Sequence, residues 1–297
     1  MERRIHALGV ALGLLLLGGC AKTERILRPE GPAPTAQSLA LAQQHRLAAV
    51  STLSLRGHAE ISWRDNDSAH FDDGDFDLVA RPSNALSLRV SKLGERILWI
   101  GGGDGEWWTV FPRERPSRAI LRPWGSSSDS SGRASGPTDS LAAIAAPMRL
   151  FEALGLAPIA ESEVTAISWD ETRGSWRFDL KGRRIFARGE SLLCVASEWV
   201  DEEGEVRATC ELSEFLWPSG EREPGSRQLE VQPLVATRVT FAAWEGGRRK
   251  RDGAPDAELK LAAEAPTFGV DRVRPQLFRW SDVEKALRPE IVEDQTK

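Results

Sequence analysis

The feature that most constrains this chain is the alternation from Leu53 to Trp63. Leu53, Leu55, Gly57, Ala59, Ile61 and Trp63 fall on one face of an extended chain, and Ser54, Arg56, His58, Glu60 and Ser62 on the other. A period of two belongs to a half-buried β-strand and to no helix. Strand-like runs recur at His70–Ala80, Ala85–Val90, Arg96–Gly101, Glu106–Phe111 and Arg118–Leu121. They return at Val164–Trp169, Ser175–Leu180, Ile185–Arg188, Ser191–Trp199, Glu205–Leu216, Val235–Trp244 and Ala257–Ala263. The links between them carry turn residues, as in Asp65-Asn66-Asp67 and Arg81-Pro82-Ser83-Asn84. Links this short join antiparallel neighbours.

Two segments break the strand rhythm. Ser38–Val50 carries an approximate helical stripe of Leu39, Leu41, Ala42, His45, Leu47 and Ala48. Leu141 to Leu154, which Asp139 and Ser140 can cap, is apolar on more than one side through Ile144, Met148, Leu150 and Phe151. A helix of that kind covers a sheet or plugs its opening. Val283–Leu287 is at most a short helix, and the final residues read as loose. The fold class expected is mostly β (α+β): a large curled antiparallel sheet forming an open, incomplete β-barrel, with an N-terminal helix and an inserted covering helix.

The start of the chain reads as an export signal. Arg3 and Arg4 precede an apolar run from Ala7 to Leu17, too short for a stable transmembrane helix. Leu17-Gly18-Gly19-Cys20 resembles the bacterial lipobox, which implies cleavage before Cys20 and a diacylglyceryl group on its thiol. Ala21 stands where Asp would favour inner-membrane retention, so the outer membrane is expected. The chain then divides into a signal (1–19), a lipidated flexible tether (20–37), one β domain (38–265) and a C-terminal extension (266–297).

An exported protein can hold a disulfide. Residue 202, midway between Cys194 and Cys210, lies in the turn Asp201-Glu202-Glu203-Gly204, so a hairpin would set the two cysteines roughly opposite each other. The alternatives are a bridge or two buried free thiols.

Catalytic and cofactor signatures are lacking. Mature His45, His58 and His70 show no ligand spacing, and neither Gly-x-Ser-x-Gly nor His-Glu-x-x-His occurs. Asp65–Asp77 is rich in Asp but lacks the placement of a calcium loop, and reads as a solvated strand rather than a metal site. Gly101–Gly105 reads as a loop without the Lys of a phosphate cradle. Arg248-Arg249-Lys250-Arg251 reads as a basic hairpin tip. A formal net charge of −5 argues against nucleic acid. No cofactor is expected, and an enzyme ranks last among the readings.

The order lipobox, tether, helix, and antiparallel meander interrupted by an apolar helix resembles the LolA/LolB-like superfamily. The local likeness lies at Leu53–Trp63, at Phe76–Val90 and at Pro147–Leu156. The resemblance implies an apolar concavity that takes the acyl chain of a lipid or of an acylated lipoprotein. Leu86, Leu88, Trp99, Trp176, Phe178, Met148 and Phe151 would line it. A buried methylene is worth about 0.8 kcal/mol, so one long chain is a substantial ligand. The rival reading is a structural or adaptor envelope lipoprotein with a filled core and a protein partner. The membrane, reached through the N-terminal lipid, is a partner in both.

Overall fold

The computed structural model describes residues 26–50, 52–65, 68–81, 85–103, 105–123, 147–217, 234–244, 254–269, 273–294 and 296. The expected signal (1–19), Cys20, residues 141–146 of the expected covering helix and the expected basic tip at 248–251 lie outside them.

Helix α1 (Ala36–Ala49) starts from a reciprocal cap: the Thr35 hydroxyl accepts from the Ser38 N–H at 3.0 Å, and the Ser38 hydroxyl accepts from the Thr35 N–H at 2.9 Å. Six strands follow as a meander: β1 (Leu53–Asp65), β2 (Ser68–Arg81), β3 (Ala85–Lys92), β4 (Glu95–Gly103), β5 (Glu106–Phe111) and β6 (Arg118–Pro123). After the short helix α2 (Pro147–Ala153) a second meander runs through β7 (Val164–Asp170), β8 (Ser175–Leu180), β9 (Arg183–Arg188), β10 (Leu193–Val200), β11 (Val206–Leu216), β12 (Val235–Ala243) and β13 (Ala257–Ala263). The two-residue β14 (Thr267–Phe268), helix α3 (Trp280–Leu287) and β15 (Ile291–Asp294) close the chain.

All strands belong to one sheet. Its order is β15-β6-β5-β4-β3-β2-β1-β13-β12-β11-β10-β9-β8-β7, with β14 beside β1. The two meanders meet in the middle, where β1 pairs antiparallel with β13 and Gly57 faces Ala263. The sheet curls without closing into a barrel, which is the expected open form. Leu53, Leu55, Ala59 and Ile61 of β1 are buried while Arg56, His58 and Glu60 are exposed, as the alternation requires. Close approach between β1 and β13 depends on Gly57: an added Cβ would lie 2.8 Å from the Ala263 Cα and closer still to the Ala262 carbonyl oxygen.

Four expectations need correction. The buried face of α1 is Leu39 and Gln43, with Leu41 and His45 outside, because Gln43 turns inward to bond backbone carbonyls. The tether is not free throughout. The Ile26 N–H donates to the Glu171 carbonyl at 3.0 Å, the Ile26 carbonyl accepts from Trp169 Nε1 at 3.0 Å, and the Arg28 guanidinium lies 4.7 Å from the Trp176 ring centre. Gly101–Gly103 belongs to β4 rather than to a loop, because the Trp108 ring lies over Gly101 and Phe278 over Gly103. Finally, the C-terminal segment is packed, not loose. Trp280 and Val283 of α3 are buried with Trp99, Trp108, Val110, Ala119 and Leu121 on the outer face of β4–β6, and β15 runs parallel to β6.

Candidate functional site

The concave side of the sheet carries the main core. Leu55, Leu78, Leu88, Ile100, Phe178, Ile185 and Phe241 come from both meanders and are all essentially inaccessible. Helix α2 lies between the two arms, touching β3 and β4 on one side and β10 on the other. It plants Leu150 and Phe151 in this apolar floor.

Polar groups hold α2 in place. Glu152 accepts a hydrogen bond from Trp199 Nε1 at 2.8 Å and pairs with Arg183 at 3.2 Å. The Arg149 guanidinium stands 5.9 Å from the Trp199 ring centre. The helix ends as its sequence dictates. Gly155 has φ +68°, its N–H reaches the Glu152 carbonyl, and the Leu156 N–H reaches the Phe151 carbonyl at 2.9 Å. This is the Schellman pattern, which needs a left-handed residue that glycine adopts without strain. The buried amide of Gln43 on α1 then donates to the carbonyls of Gly155 and Ala157 at 2.6 and 2.7 Å. Sequence reasoning missed Gln43, Glu152, Arg183 and Trp199. A glutamine four residues after Leu39, on what becomes the inner face, was the only available signal.

The expected cavity residues divide. Leu86, Leu88, Phe178 and Phe151 are fully buried in the main core, Trp176 is nearly so, and Met148 is half-buried. Trp99 is a correction: it faces away from the concavity, toward α3, with its Nε1 donating to the Ser87 hydroxyl at 3.0 Å. Leu98 and Ile100 on either side of it face the main core. The hollow expected beneath residues 141–154 lies partly under residues 141–146, outside the described ones. Among the described residues, the gap beside Leu154, Cys194, Leu212 and Phe215 measures about 10 Å³, room for one water at most.

The expected facing of the two cysteines is a further correction, and of the two alternatives the structure has the free thiols. The β10–β11 hairpin forms, but Cys210 stands opposite Ser197, while Cys194 pairs across to Ala187 of β9. Val200 faces Val206, which centres the hairpin on residue 203 rather than 202, and the register shift between Trp199 and Val200 moves Cys210 one step further from Cys194. Both thiols are free and buried. Burial raises the pKa of Cys194, and burial with the neighbouring Cys194 and Glu211 raises that of Cys210 well above the ordinary thiol value. Alkylation proceeds through the thiolate. At pH 8 the native protein is therefore expected to leave Cys194 and Cys210 unlabelled by iodoacetamide, and denaturant without reductant to expose both. Peptide mapping that finds either one unlabelled after denaturation would restore the bridge.

Among the described residues, no group of three or more His, Cys, Asp and Glu side chains is placed to hold a metal ion. The Asp-rich strand β2 is instead held by cations: Lys92 reaches Asp72 at 3.1 Å and Asp73 at 2.5 Å, and Asp77 takes Arg56 and Arg89 at 2.8 and 2.9 Å.

No protein-family model matches the sequence, and no curated protein matches it. Solved structures do. A LolA superfamily protein from Nitrosomonas europaea is 10% identical, covering 84% of this chain and 99% of its own, with a TM-score of 0.45. A proposed outer membrane lipoprotein-sorting protein domain from Vibrio parahaemolyticus is also 10% identical, covering 86% and 100%, at 0.46. A DUF1329 family protein from Desulfovibrio piger is 10% identical over 84% and 99%, at 0.41. These are likenesses of fold and no more.

Proposed function

We propose that this chain is a non-catalytic envelope lipoprotein, lipidated on Cys20 and facing the periplasm from the outer membrane, that binds the acyl part of a lipid or an acylated protein. One observation carries the reading. The apolar floor between the two arms is closed by a seven-residue helix, α2, not by the sheet's own side chains alone. The fastenings of that helix are polar. On release, Glu152, Arg183 and the carbonyls of Gly155 and Ala157 can exchange their protein partners for water, at a net cost of about 0.5–1.5 kcal/mol for each neutral bond and about 1.5–3 kcal/mol where a charge takes part. Withdrawal of Leu150 and Phe151 would uncover a floor of Leu, Ile and Phe side chains, and an acyl chain would replace them there. No bond is made or broken in the ligand, so nothing catalytic is asked of the chain.

Titration with a fluorescent fatty acid tests this. In the closed form Glu152 makes a charge-assisted contact worth about 1.5–3 kcal/mol. Glu152→Ala removes it from the closed state alone, so the expected result is at least a tenfold gain in affinity for the probe. Solvent extraction and mass spectrometry of the native protein should recover acyl lipid.

The close packing beside Leu154, Cys194, Leu212 and Phe215 favours a second reading, an adaptor lipoprotein that presents its surface to another envelope protein. On that reading neither the native chain nor Glu152→Ala binds the probe, and the substitution only lowers the melting temperature.

A further inference from the structure

The outer face of the sheet, away from α2, holds a groove of about 1330 Å³. It crosses β12, β13 and β1–β4 and is walled by the β5–β6 turn and by Leu287 at the end of α3. Six guanidinium groups line it, from Arg56, Arg89, Arg96, Arg113, Arg115 and Arg238, against four carboxylates. The carboxylates do not neutralise them evenly. Arg56 and Arg89 share Asp77, Arg113 is held by Asp72 and Glu95 at 3.2 and 3.3 Å, and Arg238 by Glu214 at 3.0 Å. Arg115 reaches only the carbonyls of Pro112 and Glu114.

Arg96 is the exception that matters. Its guanidinium lies 4.8 Å from the centre of the Trp99 ring, and that of Arg89 lies 6.0 Å from the same centre. Trp99 is nearly inaccessible and is locked by its bond to Ser87 and by the packing of α3. Among the described residues Arg96 has no carboxylate partner. Its pKa is lowered by partial burial and by Arg89. Stacking on an indole fixes the plane of a guanidinium without using its N–H donors. Two cations are thus held at one ring, one of them with all five donors uncommitted among the described residues.

The geometry points to an anion site at Arg96 and Arg89 over Trp99, of the size and charge of a phosphate group. A planar fork with free donors suits two phosphate oxygens at once. The same chemistry is offered by a phospholipid headgroup and by free phosphate. The site is on the opposite face from the acyl floor and does not depend on it.

The test uses the full chain with Cys20→Ser, so that its own lipid does not carry it to a membrane. Inorganic phosphate is titrated calorimetrically, and flotation is measured with vesicles of phosphatidylcholine alone or with a third phosphatidylglycerol. Arg96→Gln is the variant, since Arg96 makes no ion pair among the described residues whose loss would unfold the chain. Arg64→Gln, exposed and outside the groove, is the control, and melting curves check the fold. The expected result is binding of at least one anionic probe, weakened tenfold or more by Arg96→Gln and unchanged by Arg64→Gln. Phosphate alone identifies a soluble anion as ligand, and flotation only with phosphatidylglycerol identifies the headgroup. Absence of binding to both probes, or equal binding by the folded Arg96→Gln protein, overturns the proposal. Failure of the fatty-acid titration would leave this result untouched.

Discussion

Gly57→Ala is expected to lower the melting temperature by roughly 6–12 °C, taking about 3 kcal/mol for overpacking and 2–4 °C per kcal/mol in a domain this size. The cause is local and severe. The new methyl would sit 2.8 Å from the Ala263 Cα and 2.9 Å from the Ala262 carbonyl carbon, with the carbonyl oxygen closer still. These are backbone atoms in the ladder that joins the two meanders, so no side chain can rotate away. Either β1 moves off β13 or the ladder opens at its centre. A melting temperature within a degree of the parent would mean that the two strands do not approach as described.

Phe151→Ala is expected to cost about 3–5 kcal/mol, the usual toll for emptying a buried phenyl site. Phe151 is 1% exposed and lies between the arms, where little can collapse into its place. The two functional readings then part company. If the concavity takes acyl chains, saturating fatty acid should occupy the vacated volume and recover about 2.7 kcal/mol at a hundredfold excess over its dissociation constant. If the interior is only a core, the ligand leaves the melting curve where the substitution put it. Calorimetric scans with and without fatty acid decide between them.

The strands were legible because each is bounded by turn residues and most alternate. Leu53–Trp63 shows this best: its expected faces are the observed ones. Orientation failed where a strand is apolar on both sides. In β4, Leu98, Trp99 and Ile100 are all buried, and only the position of α3 decides that Trp99 faces outward. The phase of α1 failed for the opposite reason, since its inner face includes a polar Gln43 whose two acceptors lie more than a hundred residues away. The cysteine register failed because the hairpin is centred one residue later than the turn residues suggest and a bulge between Trp199 and Val200 adds a further step. The latch around Glu152 joins α2 to β9 and β10. Alternation within a strand carries no information about such distant partners.

The central ladder also sets the order in which the chain can assemble. Each meander zips up from neighbours in sequence, but β1 must wait for β13 before its second edge is covered. A chain threaded from its N-terminus therefore presents six formed strands with a bare thirteen-residue edge while the 133 residues between Pro123 and Ala257 are still to arrive. Edges of that kind recruit other chains. Refolding yield should accordingly fall steeply with protein concentration, and in the cell the chain should lean on a holdase until its last long strand is delivered.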